Sequence, residues 1–106
     1  MIYLACPFRA PTPIVQRKRC AAAHYVAAQL FLGGEIVFSP LTHNEKLIDI
    51  VEDRVSKERW LEFDMKILSI CDQLYVLKIA GWKNSKGVSK EIAFAEVRGI
   101  PIRMVE

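Results

Sequence analysis

The 106-residue sequence lacks most features that reveal a function directly. Its cysteines, Cys6, Cys20 and Cys71, are odd in number and form no CxxC pair, which argues against a disulfide framework and against a zinc site. It has no GxGxxG motif and no Walker loop, so the standard dinucleotide and triphosphate sites are not expected. Neither Ser39 nor Ser85 lies in the glycine-flanked elbow of serine hydrolases.

Long hydrophobic runs and strong charge of one sign are also missing. No apolar run reaches membrane-spanning length, and Met1 to Ala5 is typical of a strand rather than of a signal peptide. The formal charge is +3, but basic and acidic residues are interspersed. We therefore expect a cytoplasmic protein that binds neither a membrane nor a nucleic acid polymer, while a phosphate-bearing small molecule stays open as a partner.

The order of apolar segments predicts one α/β domain over residues 1–106. Four short apolar runs alternate with longer segments of helical periodicity: Ile2 to Ala5, Glu35 to Phe38, Gln73 to Ile79, and Ile100 to Val105. This alternation predicts a doubly wound, flavodoxin- or Rossmann-like three-layer sandwich with a parallel sheet of four to five strands.

Four helices are predicted between these strands. The first starts near Pro13, capped by Thr12, and ends at Gly33 and Gly34. The others are expected over Asn44 to Val51, Lys57 to Cys71, and about Gly87 to Arg98. Since ligands of doubly wound sheets bind beyond the carboxyl ends of the strands, the segments of interest are Cys6 to Thr12, Ser39 to Ser56, and Ala80 to Lys86.

Asp64 falls within the apolar arc of the third predicted helix, between Phe63 and Ile67. A carboxylate buried alone costs several kcal/mol, so Asp64 must be hydrogen-bonded, ion-paired or protonated. A structural aspartate and a functional one are equally compatible with this pattern.

Glu91 follows the start of the last predicted helix, where free N–H groups and the helix dipole favour negative charge. Dipole complementarity alone would explain it. A capping box would not, because the residue three after Ser85 is Val88 rather than a glutamate. A functional role would also use Gly87, which lets a ligand approach the backbone closely.

Other polar residues carry weaker signals. Tyr3 lies in the first strand, where a tyrosine usually packs in the core and its hydroxyl reaches a partner. Arg9 follows that strand and could bind a phosphate or carboxylate with two parallel bonds.

His24 is an ordinary helical position, and His43 sits in a predicted loop, so we expect no metal. The basic run from Arg17 to Arg19 is typical of a solvated helix face.

Taken together, these segments resemble the nucleoside 2-deoxyribosyltransferase-like family, which includes the 2'-deoxynucleoside 5'-monophosphate N-glycosidases. The resemblance covers nearly the whole chain. It is carried by Ile2 to Phe8, by Asp64 with Cys71 to Leu77, and by Gly81-Trp82, Ser85, Gly87-Val88, Glu91, Ala95 and Gly99 to Pro101.

The resemblance implies an enzyme that needs no cofactor and acts on a nucleoside or nucleotide. Glu91 would be the nucleophile, Tyr3 would orient it, and Asp64 would handle protons at the base or sugar. Glu91 is expected to stay ionised at the helix terminus, while the apolar surroundings of Asp64 favour its protonated form. The resemblance also implies substrate contacts for Arg9 at a 5'-phosphate and for Ser85 and Gly87 in the sugar-phosphate pocket. The loop positions of Phe8 and Trp82 make these two residues candidates to pack on the base.

Three departures from the family pattern bear on the activity. Cys6 stands where many members have glycine, a change that would narrow the first loop. Ser85 stands where the transferases carry an aspartate, and this second difference favours a monophosphate hydrolase over a base-exchange enzyme. The chain also stops at Glu106, so we do not expect a tail to complete a neighbouring subunit's site, although a homo-oligomer through helix faces stays open. The alternatives are a deoxyribosyltransferase and an inactive nucleotide-binding or sensing module.

Overall fold

A four-stranded parallel sheet forms the centre of the computed structural model, which describes residues 1–106. Its strands are β1 (Ile2–Ala5), β2 (Val37–Phe38), β3 (Gln73–Leu77) and β4 (Ile102–Val105). They lie side by side in the order β2-β1-β3-β4, with Tyr3 aligned with Phe38 and Leu74. The chain adds strands on one side of β1 and then on the other, so the order reverses between β1 and β3, where a doubly wound fold places its ligand crevice.

Four helices cover the sheet: α1 (Pro13–Leu32), α2 (Pro40–Val51), α3 (Lys57–Ser69) and α4 (Lys86–Arg98). Two short 3-10 turns, Glu52–Arg54 and Trp82–Asn84, precede α3 and α4. Each helix begins after a Ser or Thr whose side-chain oxygen accepts a hydrogen bond from the backbone three residues on, which satisfies a free N–H of the first turn. These caps are Thr12, Ser39, Ser56 and Ser85.

Alternation along the strands divides the core into two layers. On one face, Tyr3, Leu74 and Val76 pack with Leu68 of α3 and Val88 of α4. On the other face, the β1 and β3 side chains pack against α1 and the start of α2. The second cluster comprises Ile2, Leu4, Cys6, Ala23, Tyr75 and Leu77.

The predicted architecture is confirmed, with four strands rather than five. The main difference lies in α2, which begins at Pro40 rather than at Asn44. Ser39 caps it and Pro40 occupies its first turn, a start signal that places His43 on a helix instead of in the predicted loop. Strands β2 and β4 begin two residues later than predicted. None of the helices combines the length and apolar character needed to cross a membrane.

Candidate functional site

Tyr3 and Glu91, 88 positions apart in the chain, meet beneath α3 and α4. The hydroxyl of Tyr3 donates a hydrogen bond to Oε2 of Glu91. Tyr3 is fully buried and Glu91 is only 7% exposed. A buried carboxyl group in an apolar cluster requires such a partner. The polar partner predicted for the hydroxyl of the strand tyrosine is therefore Glu91.

Asp64 reaches the same region from the middle of α3. Its Oδ1 accepts a hydrogen bond of 3.1 Å from Nδ2 of Asn44, whose own Oδ1 lies 2.8 Å from Nδ1 of His43. Asp64 is near enough to raise the pKa values of both Tyr3 and Glu91 through its charge. The structure therefore brings Tyr3, Asp64 and Glu91 together, and these three residues are called the acidic trio below.

Burial controls the protonation of the trio. Loss of hydration is the largest cause that raises the pKa of Asp64 to about 6, although the Asn44 hydrogen bond and the nearby His43 oppose the shift. Loss of hydration also raises the pKa of Glu91 to about 8; the Tyr3 hydrogen bond opposes this and the charge of Asp64 adds to it. Burial, followed by the Glu91 charge, raises the pKa of Tyr3 as well.

The expectation that the helix terminus keeps Glu91 ionised was wrong for the free protein. Glu91 is the sixth residue of α4, beyond the first turn in which the dipole acts, and it is buried. Desolvation therefore dominates. The expectation that burial favours the protonated form of Asp64 was right in direction, yet Glu91 holds its proton to a higher pH.

An aromatic row extends from the trio toward the surface. The Tyr3 ring lies 5.8 Å from that of Phe38, which lies 5.3 Å from His43. His43 in turn stacks on Phe63 at 5.6 Å with an angle of 20° between the planes. Phe63 is partly exposed, so this row of tilted and stacked rings leads from buried Tyr3 to the surface of α3.

Arg19 connects the two loops that follow β1 and β3. Its guanidinium donates to the carbonyl of Arg9 and, at 3.0 Å, to that of Ala80. The prediction of a solvated basic face was therefore wrong for this residue. Gly81 permits the contact: its φ is +93°, and a Cβ there would collide with the Arg19 guanidinium.

The start of α4 contains two of the predicted substrate-binding residues, Ser85 and Gly87. Ser85 is the N-cap, and its Oγ accepts a 3.2 Å hydrogen bond from the backbone N–H of Val88. Gly87 is exposed, and a Cβ at this position would come no closer than 3.9 Å to another atom, which is the Ser85 hydroxyl. A ligand could thus approach the free N–H groups of the first turn.

The remaining predicted contacts lie in the surrounding loops. Arg9 is exposed, and Phe8 is half-buried in the same loop. Trp82 is half-buried in a 3-10 turn and packs against the core cluster around Tyr3, so part of its indole surface already serves the core.

Two surface cavities lie beside the segment after β3. One, of about 330 Å³, is lined by residues 78 to 84. The other, of about 300 Å³, lies between that segment and α1 near Lys18 and Arg19. The acidic trio lines neither cavity. We nevertheless assign the candidate site to the trio, because it concentrates the buried, pKa-shifted groups that chemistry requires.

Two residues of the site were missed from the sequence. Asn44, which is 5% exposed and holds Asp64, was placed only at the start of a helix. Arg19 was hidden in a basic run. The Ser39-Pro40 helix start could have put Asn44 one turn into α2, but no local signal indicates the distant partner of either side chain.

Comparison with known proteins identifies a family without assigning an activity. A family described as "Domain of unknown function (DUF1937)" matches residues 1–106, so the chain belongs to it. No curated protein matches the chain.

Proposed function

We propose that this DUF1937 protein is an N-glycosidase that cleaves the bond between the base and the sugar of a nucleoside 5'-monophosphate. The observation that carries the proposal is the buried hydrogen bond from Tyr3 to Glu91, with Asp64 acting electrostatically on both. The resemblance to the nucleoside 2-deoxyribosyltransferase-like family supplies the reaction type. Convergence of residues 3, 64 and 91 supports it, because these are the three positions to which the resemblance assigns chemistry.

In the proposed first step, a carboxylate oxygen of Glu91 attacks the anomeric carbon as the bond to the base nitrogen breaks. Asp64 transfers its proton to the departing base, and Glu91 is left as a sugar ester. In the second step, water attacks the same carbon, Asp64 accepts a proton from that water, and Glu91 leaves as a carboxylate. The products are the free base and the sugar 5-phosphate.

This sequence needs one proton on the pair of carboxyl groups. Burial raises the pKa of both groups, to about 8 for Glu91 and to about 6 for Asp64, so Glu91 is the more readily protonated of the two in the free protein. Positive charge that develops at the sugar carbon favours ionised Glu91, and the leaving base requires the proton on Asp64. Substrate binding therefore has to exchange the protonation of the two groups, and it has to displace the side chains that bury Glu91.

The start of α4 is the proposed phosphate position. Ser85 lies six residues before Glu91, which corresponds to about 9 Å along a helix axis. Free N–H groups near Gly87 favour an anion there, and Arg9 would supply a charge from the loop after β1. Phe8 and Trp82 remain proposed contacts of the base.

The three free cysteines accord with the cytoplasm as the proposed compartment.

A chromatographic screen for base release from nucleosides and their 5'-monophosphates tests the proposal. Glu91→Ala should abolish release, whereas Glu96→Gln, an exposed change on the same helix, should leave it intact. Circular dichroism of both variants establishes whether the fold is retained. Equal release by the folded Glu91→Ala protein would eliminate the proposed nucleophile.

The same screen separates the alternatives. A deoxyribosyltransferase would form a new nucleoside when a second free base is supplied, while a hydrolase yields only base and sugar phosphate. A binding module would gain thermal stability with a nucleotide and release no base on prolonged incubation.

A further inference from the structure

Helix α1 is apolar on two opposite sides, of which only one is covered. Its inner side packs on the sheet through Ala22, Ala23, Val26 and Leu30. Its opposite side is exposed along the whole helix and is called the outer seam. The outer seam consists of Ile14, Lys18, Ala21, Tyr25, Ala28 and Leu32.

The outer seam has the spacing of a helix-pairing surface. Its positions are separated by four, three, four, three and four residues, so they return to the same side every seven residues. Its large apolar side chains are well exposed: Ile14 by 58%, Tyr25 by 66% and Leu32 by 77%. A row about 27 Å long that is apolar except for Lys18 is typical of an interaction surface.

This spacing reads the same from either end of the helix, which makes the outer seam complementary to itself. Two antiparallel copies related by a twofold axis place Ile14 opposite Leu32 and Ala21 opposite Tyr25. Each small side chain then faces a large one, as interdigitated packing requires. A twofold interface needs such a palindromic surface, because every contact occurs twice.

The charges on α1 favour the antiparallel arrangement. Lys18 faces Ala28 of the second copy, and the neighbouring Arg17 faces Gln29. The two Lys18 side chains are then about 15 Å apart along the helix axis. Parallel pairing would place Lys18 beside Lys18, and like charges in that position repel.

We propose that the outer seam binds the outer seam of a second copy of this chain, forming an antiparallel twofold dimer. The proposal does not depend on the proposed activity, because α1 lies on the sheet face opposite α3 and α4. The dimer interface therefore does not cover the face of the sheet that carries the acidic trio. Since one helix face provides a small interface, the dimer should dissociate on dilution.

Sedimentation velocity over a range of concentrations tests this dimer. The wild-type protein should shift from monomer to dimer as its concentration rises, and Tyr25→Glu should abolish that shift. Val97→Glu is the matched control, since Val97 is 86% exposed on α4 and lies outside the outer seam. A wild-type monomer at every concentration, a Tyr25→Glu dimer, or equal disruption by Val97→Glu would each overturn the proposal.

Disulfide trapping tests the register. A mixture of Ile14→Cys and Leu32→Cys proteins should form cross-linked dimers under mild oxidation. Leu32→Cys alone should not, because its two copies would be separated by about 27 Å along the axis. The wild-type protein controls for the three buried native cysteines. Cross-linking of Leu32→Cys alone at the rate of the mixture would contradict the antiparallel arrangement.

Discussion

The two faces of the sheet bury similar strands in different ways. Toward α1, the buried cluster contains hydrocarbon side chains, a thiol and the Tyr75 ring, and no carboxyl group. Toward α3 and α4, Tyr3 shares the buried layer with Glu91, and Asp64 lies alongside. Apolar packing alone serves the first face. The second retains groups whose burial opposes their ionisation, and we interpret this difference as the division between a structural face and a functional one.

Asp64→Asn, on the face of the sheet toward α3 and α4, should lower kcat far more than a core substitution on the face toward α1. The amide preserves the shape of the side chain but cannot donate the proton required by the leaving base. Steady-state kinetics should show kcat lower by roughly 10²–10⁴-fold, the range for a lost general acid. Glu62→Gln, an exposed change on the same helix, should leave kcat unaltered. Full activity in Asp64→Asn would remove Asp64 from the chemistry.

The pH profile of kcat/KM should be bell-shaped. Below about pH 6 both carboxyl groups of the free protein carry protons, and above about pH 8 both are ionised. Only between these limits does the pair hold the single proton that the proposed reaction uses. The limbs describe the pair rather than either residue. A flat profile from pH 5 to pH 9 would show that the pair does not limit the rate.

Glu91→Gln, a change on the face toward α3 and α4, should alter how the free energy of unfolding of the protein depends on pH. The pKa of Glu91 is raised from 4.5 to about 8 in the fold, so the folded state retains a proton that the unfolded chain loses. Wild-type stability should therefore fall as pH rises across this interval and level off above it. Urea unfolding at several pH values should show the variant gaining several kcal/mol relative to wild type between these limits.

Glu96→Gln is the control for this measurement because Glu96 is exposed on the same helix. If the difference in unfolding free energy between wild type and Glu91→Gln is the same from pH 5 to pH 8.5, then Glu91 is not the group that makes stability depend on pH.

Leu4→Ala tests the structural face. Leu4 is fully buried against α1, and the truncation should lower the free energy of unfolding by about 3 kcal/mol through lost burial and the cavity left behind. Activity per folded molecule should stay close to that of wild type. A large loss of kcat in a fully folded sample would contradict the division between the two faces.

Gly81→Ala should have the smallest effect. A side chain at φ +93° costs about 1–2 kcal/mol, and its Cβ would displace the Arg19 guanidinium from the carbonyls of Arg9 and Ala80. Thermal unfolding measures the stability loss, and faster hydrogen exchange in both loops would report the broken connection. Gly34→Ala is the control, since Gly34 has the same φ but no atom within 4 Å of its added Cβ. Equal exchange in the two variants would show that Arg19 does not hold the loops.

The sequence predicted the architecture well because its signals are local. Alternating apolar runs and helix caps such as Thr12 depend on residues a few positions apart, and they indicated the parallel sheet and most helix boundaries. Tyr3, Asp64 and Glu91 were chosen by resemblance, since periodicity alone left Asp64 undecided and favoured a dipole role for Glu91. The contacts of Asn44 and Arg19 could not be predicted, because their partners lie 20 or more residues away or on another loop.

By itself, the amino-acid order determined which segments form strands and helices and, within one residue, where α1, α3 and α4 start, because side-chain periodicity and capping act within one or two turns. Only the tertiary structure decided that the tyrosine hydroxyl meets the glutamate, that Asn44 holds Asp64, and that burial raises the pKa of both carboxyl groups. The physical reason is desolvation: the protonation of a carboxyl group depends on what surrounds it after packing, and distant parts of the chain supply those surroundings.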